Sequence, residues 1–215
     1  MMIKVCGMRA ADNIKEIAAL QPDYLGFIFY EKSQRYCKPE ALAASFDALE
    51  SISPKRVGVF VNATEEEILY IARRLSLAVI QLHGEESVAL VESLKRKGLA
   101  VWKAFGVSEQ LPIEEMSPFD KKVDAFLLDT KTSGYGGSGQ QFNWQSLEEY
   151  PFESPFILSG GISEADAEAI QNLKLPQLLG VDINSRFEVE PAVKDPEKVK
   201  QFIQKLRNIT THEHS

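Results

Sequence analysis

Cys6 ends a short apolar run in "MMIKVCGMRA", and Asp129 ends another in "AFLLDT". A cysteine so placed has two accounts. It is a buried, inert thiol, or it is a thiolate whose pKa nearby positive charge has lowered. Lys4, Arg9 and Arg35 are the candidate sources of that charge. Asp129 either hydrogen-bonds the turn-rich stretch "KTSGYGGSGQ" that follows it or, partly buried, keeps its proton and serves as a general acid. Arg35, in "YEKSQRYCKPE", is a solvated loop arginine or a planar fork for a carboxylate. His83, in "QLHGEE", closes a strand end or hydrogen-bonds a ligand near neutral pH. Gly160 and Gly161, in "SGGISEAD", form an ordinary turn or let backbone amides converge on an anion. Asp182, near the end of the run in "GVDI", is structural or bonds a neighbouring loop, whereas Asp124 opens its apolar run.

These residues punctuate a regular rhythm. Eight β-branched and aromatic runs start near residues 3, 24, 56, 78, 100, 124, 155 and 178. They are too continuously apolar for strands with one wet face and read as parallel strands covered on both sides. Helical patterns fill most gaps: "ADNIKEIAAL", "KPEALAASFDALE", "ATEEEILYIARRL", "EESVALVESLKRKG", "SEADAEAIQNL" and "DPEKVKQFIQKLRNI". Thr64 with Glu67, and Ser163 with Asp166, have capping-box spacing, and Gly98 is a helix stop. "LPIEEM" and "FNWQSLEEY" hold at most short helices. Eight strands alternating with helices predict an α/β fold, a closed single-domain (β/α)8 TIM barrel over residues 1–207, with 208–215 a loose tail. An open doubly wound sheet is the second choice, but no Gly-x-Gly-x-x-Gly follows the first strand.

A barrel does its chemistry at the C-terminal ends of its strands, where Cys6, Arg35, His83, Asp129, Gly160, Gly161 and Asp182 fall. The strand-seven and strand-eight ends are the customary phosphate position, and "GYGGSGQ" is a candidate loop to close over a substrate.

Composition narrows the classes. The 215 residues are 44% hydrophobic, enough for one sizeable core. Twenty-four basic against 31 acidic residues give a net charge of -7, which argues against a general nucleic-acid surface. No apolar run reaches membrane-spanning length, and no charged segment followed by an apolar stretch marks a leader. Two cysteines, Cys6 and Cys37, make no disulfide framework, so a reducing cytoplasm is the expected compartment. The three histidines form no metal-ligand spacing, and no metal or cofactor is expected.

The sequence resembles phosphoribosylanthranilate isomerase of tryptophan biosynthesis over nearly its whole length. The resemblance rests on "KVCGMR", "GFIFYEKSQRY", "VGVFVN", "IQLHGEE", "LLDT" before "GGSGQQFNW", "LSGGIS", and "GVDINSRFE" before "PAVKD". It implies an Amadori rearrangement of N-(5-phosphoribosyl)anthranilate to the aminoketose phosphate, without cofactor or metal. It further implies Cys6 as general base, Asp129 as general acid and Arg35 near the anthranilate carboxylate. Gly160 and Gly161 become a phosphate turn. Asp182, Asn184 and Ser185 belong to the strand-eight segment facing the phosphate, and His83 takes a supporting role. The expected partner is that phosphorylated substrate, in a monomer or homodimer, with neither nucleic acid nor membrane. Three positions depart from the family's pattern: Asn184 for a serine, and Arg186 and Ala192 for glycines. Arg186 either supplies a charged phosphate contact or narrows the pocket. Two other readings stand beside the isomerase: another phosphosugar isomerase or lyase on the same barrel, and a phosphosugar-binding barrel without turnover.

Overall fold

The computed structural model describes residues 1–48, 53–131 and 141–208. Eight parallel strands close into a barrel in chain order. They are β1 (Met2–Val5), β2 (Tyr24–Ile28), β3 (Lys55–Phe60), β4 (Val79–Leu82), β5 (Ala100–Val107), β6 (Ala125–Thr130), β7 (Phe156–Leu158) and β8 (Leu178–Ile183). β1 closes the ring on β8 with Lys4 opposite Asp182. The open-sheet alternative is thereby excluded.

Alternation along each strand makes two cores. Ile3, Val5, Leu25, Phe27, Phe126 and Leu128 belong to the large cluster between barrel and helices. Val57, Val79, Trp102, Ala104, Ala125, Leu127 and Ile157 form a separate cluster that plugs the barrel's interior. The in-facing set continues upward from this plug into polar residues: Lys4, Gln81 and Asp182 are buried, and Cys6 and His83, just past the ends of β1 and β4, and Asp129, on β6, lie one step higher. The strands thus build a greasy base and a polar mouth.

The helices are α1 (Ala11–Ala19), α2 (Pro39–Ala48), α3 (Glu65–Arg74), α4 (Val88–Arg96), α5 (Ile113–Met116), α6 (Ala167–Asn172) and α7 (Pro196–Asn208). Thr64 caps α3 by accepting from the Glu67 amide at 3.3 Å. After α4, Gly98 takes a φ of +82° and its amide donates to the Lys95 carbonyl at 2.9 Å, a left-handed stop. Ser163 and Asp166 form the expected capping box, but it opens a 3-10 turn that leads into the short α6. "FNWQSLEEY" yields only a 3-10 turn at Trp144–Leu147. A small hairpin of β9 (Glu188–Glu190) and β10 (Val193–Lys194) follows β8 and was not legible in the sequence. Among the described residues no helix is long and apolar enough to cross a membrane. The glycine-rich stretch 134–140 and residues 209–215 of the expected tail lie outside the described residues.

At the opposite rim, Asp124 takes the structural part its position suggests. Its carboxylate accepts from the Val101 amide at 2.7 Å and pairs with Lys95.

Candidate active site

One cavity opens at the C-terminal ends of the strands. Its wall includes Cys6, His83, Asp129, Gly160, Gly161, Asp182, Asn184 and Ser185, which are eight of the ten residues singled out from the sequence. Arg35 and Arg186 are off this wall.

Cys6 follows β1 directly and is 4% exposed. Its amide donates to the Ile183 carbonyl at 2.9 Å, which carries the β1–β8 ladder up to the thiol. Two residues below, on the same face, Lys4 is wholly buried with its ammonium 2.8 Å from Asp182. Gly26 makes room for both, since a Cβ there would fall 2.8 Å from the Cys6 sulfur and 2.9 Å from Lys4 Cε. Lys4 and then Lys194 pull the thiol's pKa down, and Arg35 also interacts with its charge; Arg9 donates to the Gln34 carbonyl. Burial is nevertheless the largest influence, and it pushes the Cys6 thiol above its ordinary range. Burial also weakens Lys4, but Asp182 and Cys6 outweigh it and hold the ammonium charged.

Asp129 stands on β6, three strands round the ring from β1. Its Oδ1 accepts from the Thr130 amide at 2.8 Å, and its Oδ2 is 3.6 Å from His83 Nε2. Burial first, and then the negative charge of Asp182, lift its pKa to about 6. His83 keeps a quarter of its side-chain surface open to the cavity. Burial, with the charges of Lys103 and Lys4, still pulls its pKa down to about 4, so the imidazole is neutral at pH 7.

Gly160 and Gly161 have φ of +87° and +66°. Gly160 also packs against β6: a Cβ there would collide with Thr130 Oγ1 and meet the Thr130 nitrogen at 2.5 Å and Asp129 Oδ1 at 2.8 Å. The absent side chain therefore leaves space for the Asp129 carboxylate as well as allowing the turn.

Arg35 is held behind the wall. Its Nε and Nη2 donate to the two oxygens of Glu188 at 2.8 and 2.7 Å, a parallel fork. Glu188 also takes the buried Lys194 ammonium at 2.5 Å, and that ammonium reaches Asn184 Oδ1 at 2.8 Å. Arg186 is exposed in a 3-10 turn spanning Ser185–Phe187, and its backbone is not left-handed. A glycine is therefore not required there. The left-handed position is Ala192, at φ +69°, the other site where a glycine was expected.

The sequence reading passed over Gln81, Ser159, Glu188 and Lys194. Gln81 carried a usable signal, being a lone amide in an apolar strand two residues before His83. Glu188 and Lys194 carried none, because neither interrupts an apolar run at a barrel-strand end and the Arg35 that Glu188 holds lies 153 residues away. Among the described residues no three His, Cys, Asp or Glu side chains converge as a metal site requires.

Three buried acceptors near the cavity have no partner among the described residues: Gln81 Oε1, Thr130 Oγ1 and Asp182 Oδ1. Buried polar atoms are normally bonded, and Gln81 and Asp182 are part of the cavity wall. The arrangement suits a polyhydroxylated ligand set between a carboxylic acid and a thiol.

Comparison with known proteins agrees. The family model described as N-(5'phosphoribosyl)anthranilate (PRA) isomerase matches residues 3–205. The N-(5'-phosphoribosyl)anthranilate isomerase of Parabacteroides distasonis is 46% identical over 209 residues, covering 96% of this chain and 93% of that protein. The crystal structure of phosphoribosyl anthranilate isomerase from Thermus thermophilus superposes with a TM-score of 0.84 at 30% identity, over 97% of this chain and all of that one (100%). A phosphoribosyl anthranilate isomerase solved in complex with reduced 1-(o-carboxyphenylamino)-1-deoxyribulose 5-phosphate gives 0.80 at 30% identity, covering 97% of this chain and 99% of that one. With its closed barrel and its mouth of Cys6, His83 and Asp129, this chain belongs to the N-(5'-phosphoribosyl)anthranilate isomerase family.

Proposed function

We propose that this protein converts N-(5-phosphoribosyl)anthranilate to 1-(2-carboxyphenylamino)-1-deoxyribulose 5-phosphate in tryptophan biosynthesis, with Asp129 as acid and Cys6 as base. The observation that carries the assignment of roles is the carboxyl of Asp129, lifted to about 6, in the same cavity as the Cys6 thiol.

Protonated Asp129 gives its proton to the ribose ring oxygen as the C1–O bond breaks, and the anthranilate nitrogen's lone pair forms the C1 iminium. The iminium acidifies the C2 proton. Cys6 thiolate removes it, and the electrons of the C2–H bond make the C1–C2 double bond of an enolamine. Uptake of a proton at C1 and loss of the 2-hydroxyl proton give the ketose. Asp129 ends with one proton fewer and Cys6 with one more, so a single proton transfer through solvent resets the pair. A positioned acid or base typically contributes about 10²- to 10⁴-fold.

Burial of the thiol changes the accounting of charge. The competent form, thiolate with carboxylic acid, is a minority because the acid's pKa lies below the base's. Lys4 and Lys194 limit the penalty by opposing burial at the sulfur.

The 5-phosphate is assigned to the mouth at Gly160, Gly161 and Ser185, and the sugar hydroxyls to Asp182 Oδ1 and Gln81 Oε1. The anthranilate carboxylate is assigned to Arg35, which lies behind the cavity wall with Nε and Nη2 held by Glu188, so that Nη1 is the edge to turn toward the substrate. This two-point hold sets C1 and C2 between acid and base.

The deciding experiment follows the loss of fluorescence of substrate made in situ, with spontaneous breakdown subtracted. Wild-type protein should form the aminoketose phosphate, and Cys6→Ala and Asp129→Ala should lose at least about 10²-fold in kcat. Absence of turnover in wild type that still binds product would favour a binding barrel.

A further inference from the structure

Gln81 and His83 sit two residues apart on β4 and the loop that follows it, and both face the barrel interior. Gln81 is 1% exposed, at a depth where an unbonded amide is unfavourable. Its Nε2 is 3.1 Å from His83 Nδ1. His83 Nε2 in turn is 3.6 Å from Asp129 Oδ2. Three side chains therefore run in line from the barrel centre to the acid.

A neutral imidazole has one N–H, and the bond made by one nitrogen decides which nitrogen carries it. The orientation of an amide is assigned from its bonding pattern. With Nε2 of Gln81 on the ring, the amide atom left unsatisfied is the carbonyl Oε1. Buried carbonyl oxygens go without a partner more readily than N–H groups do. That orientation makes Nδ1 an acceptor and puts the ring proton on Nε2, toward Asp129.

We propose that Gln81 is a positioning residue that fixes His83 as the Nε2–H tautomer, so that this N–H meets the Asp129 carboxylate as it forms. When the acid gives up its proton, its Oδ1 is already held by the Thr130 amide at 2.8 Å. The His83 N–H closes on Oδ2 and stabilises the new charge. His83 neither gains nor loses a proton in this step. A donor that tightens only as charge develops accelerates the reaction more than it strengthens substrate binding. The proposal rests on Asp129 being the acid.

The test is the imidazole nitrogen NMR spectrum of the whole protein at pH 7.5. The chain has three histidines, and a His83→Gln spectrum assigns the signal of interest. Wild-type His83 should show a protonated Nε2 and a bare, hydrogen-bonded Nδ1. Gln81→Met, which keeps length and removes the donor, should lose that pattern. Its kcat should fall about tenfold, a fraction of what a positioned acid supplies, with KM within about twofold. A wild-type Nδ1–H tautomer, or a Gln81→Met protein with unchanged tautomer and kcat, would overturn the proposal. The wild-type spectrum decides even if Gln81→Met fails to fold. It is also independent of turnover, so loss of the acid assignment, seen as undiminished kcat in Asp129→Ala, is told apart from loss of this one.

Discussion

Lys4 and Asp182 face each other across the seam that closes the barrel, 2.8 Å apart, with Lys4 two residues below the Cys6 thiol. A buried ion pair is a poor source of stability, but removing one partner strands the other. Lys4→Met should therefore destabilise the fold by about 3–5 kcal/mol in denaturant titration. Combining it with Asp182→Leu should recover much of that loss without restoring activity. In Lys4→Met the thiol also loses the cation that opposes burial. The alkaline limb of the kcat profile should move to higher pH and the plateau should fall. An unmoved limb would remove Lys4 from the tuning of Cys6.

Asp129 should be a site where function opposes stability. Its pKa rises from 3.8 unfolded to about 6 folded. The unfolded chain therefore gives up this proton first. Stability falls as pH rises from about 4 to 6 and stays lowered above that, by on the order of 3 kcal/mol. Asp129→Asn should melt higher than wild type at pH 8, with the gain disappearing near pH 3.5, while kcat drops by at least about 10²-fold. Equal melting of the two proteins at pH 8 would mean that the carboxyl is not raised.

Gly160 and Gly98 separate strain from collision. Both have left-handed backbones, at φ +87° and +82°. A Cβ at Gly98 meets nothing within 4 Å, whereas at Gly160 it strikes the Asp129–Thr130 peptide. Gly98→Ala should lose about 1–2 kcal/mol and keep full activity. Gly160→Ala should lose more stability and, by displacing the Asp129 carboxylate, most of its kcat. Similar kinetics in the two variants would count against a tight seat for the acid.

Arg35 makes a KM prediction. If the guanidinium edge left by Glu188 meets the anthranilate carboxylate, Arg35→Met should raise KM at least about tenfold and change kcat less. Arg35→Lys should not rescue it, because an ammonium cannot reproduce the fork. A loss confined to thermal stability would leave Arg35 as a partner of Glu188 alone.

The barrel was legible because both faces of its strands are dry, so each strand reads as an unbroken apolar run. The helices were legible where local chemistry ends them, as at Thr64, Ser163 with Asp166, and Gly98. Cys6 and Asp129 stood out because each interrupts an apolar run at a strand end. The hairpin β9–β10 was not legible, since its strands are short, polar and held by the Glu188 network.

Residue types, spacing and strand order are properties of the chain itself, and they determined the barrel and brought eight of ten chosen residues to one cavity. Tertiary structure decided the pairings and the charges. Lys4 finds Asp182 across 178 residues, and Arg35 finds Glu188 across 153. The local letters around Arg35 hold no trace of that carboxylate. Of the two accounts of Cys6, burial outweighs the nearby cations and raises the thiol. Arg186, which stands where the family's pattern has a glycine, keeps an ordinary backbone, and Ala192 carries the left-handed turn. Desolvation and Coulomb forces depend on distance in space, and only folding sets those distances.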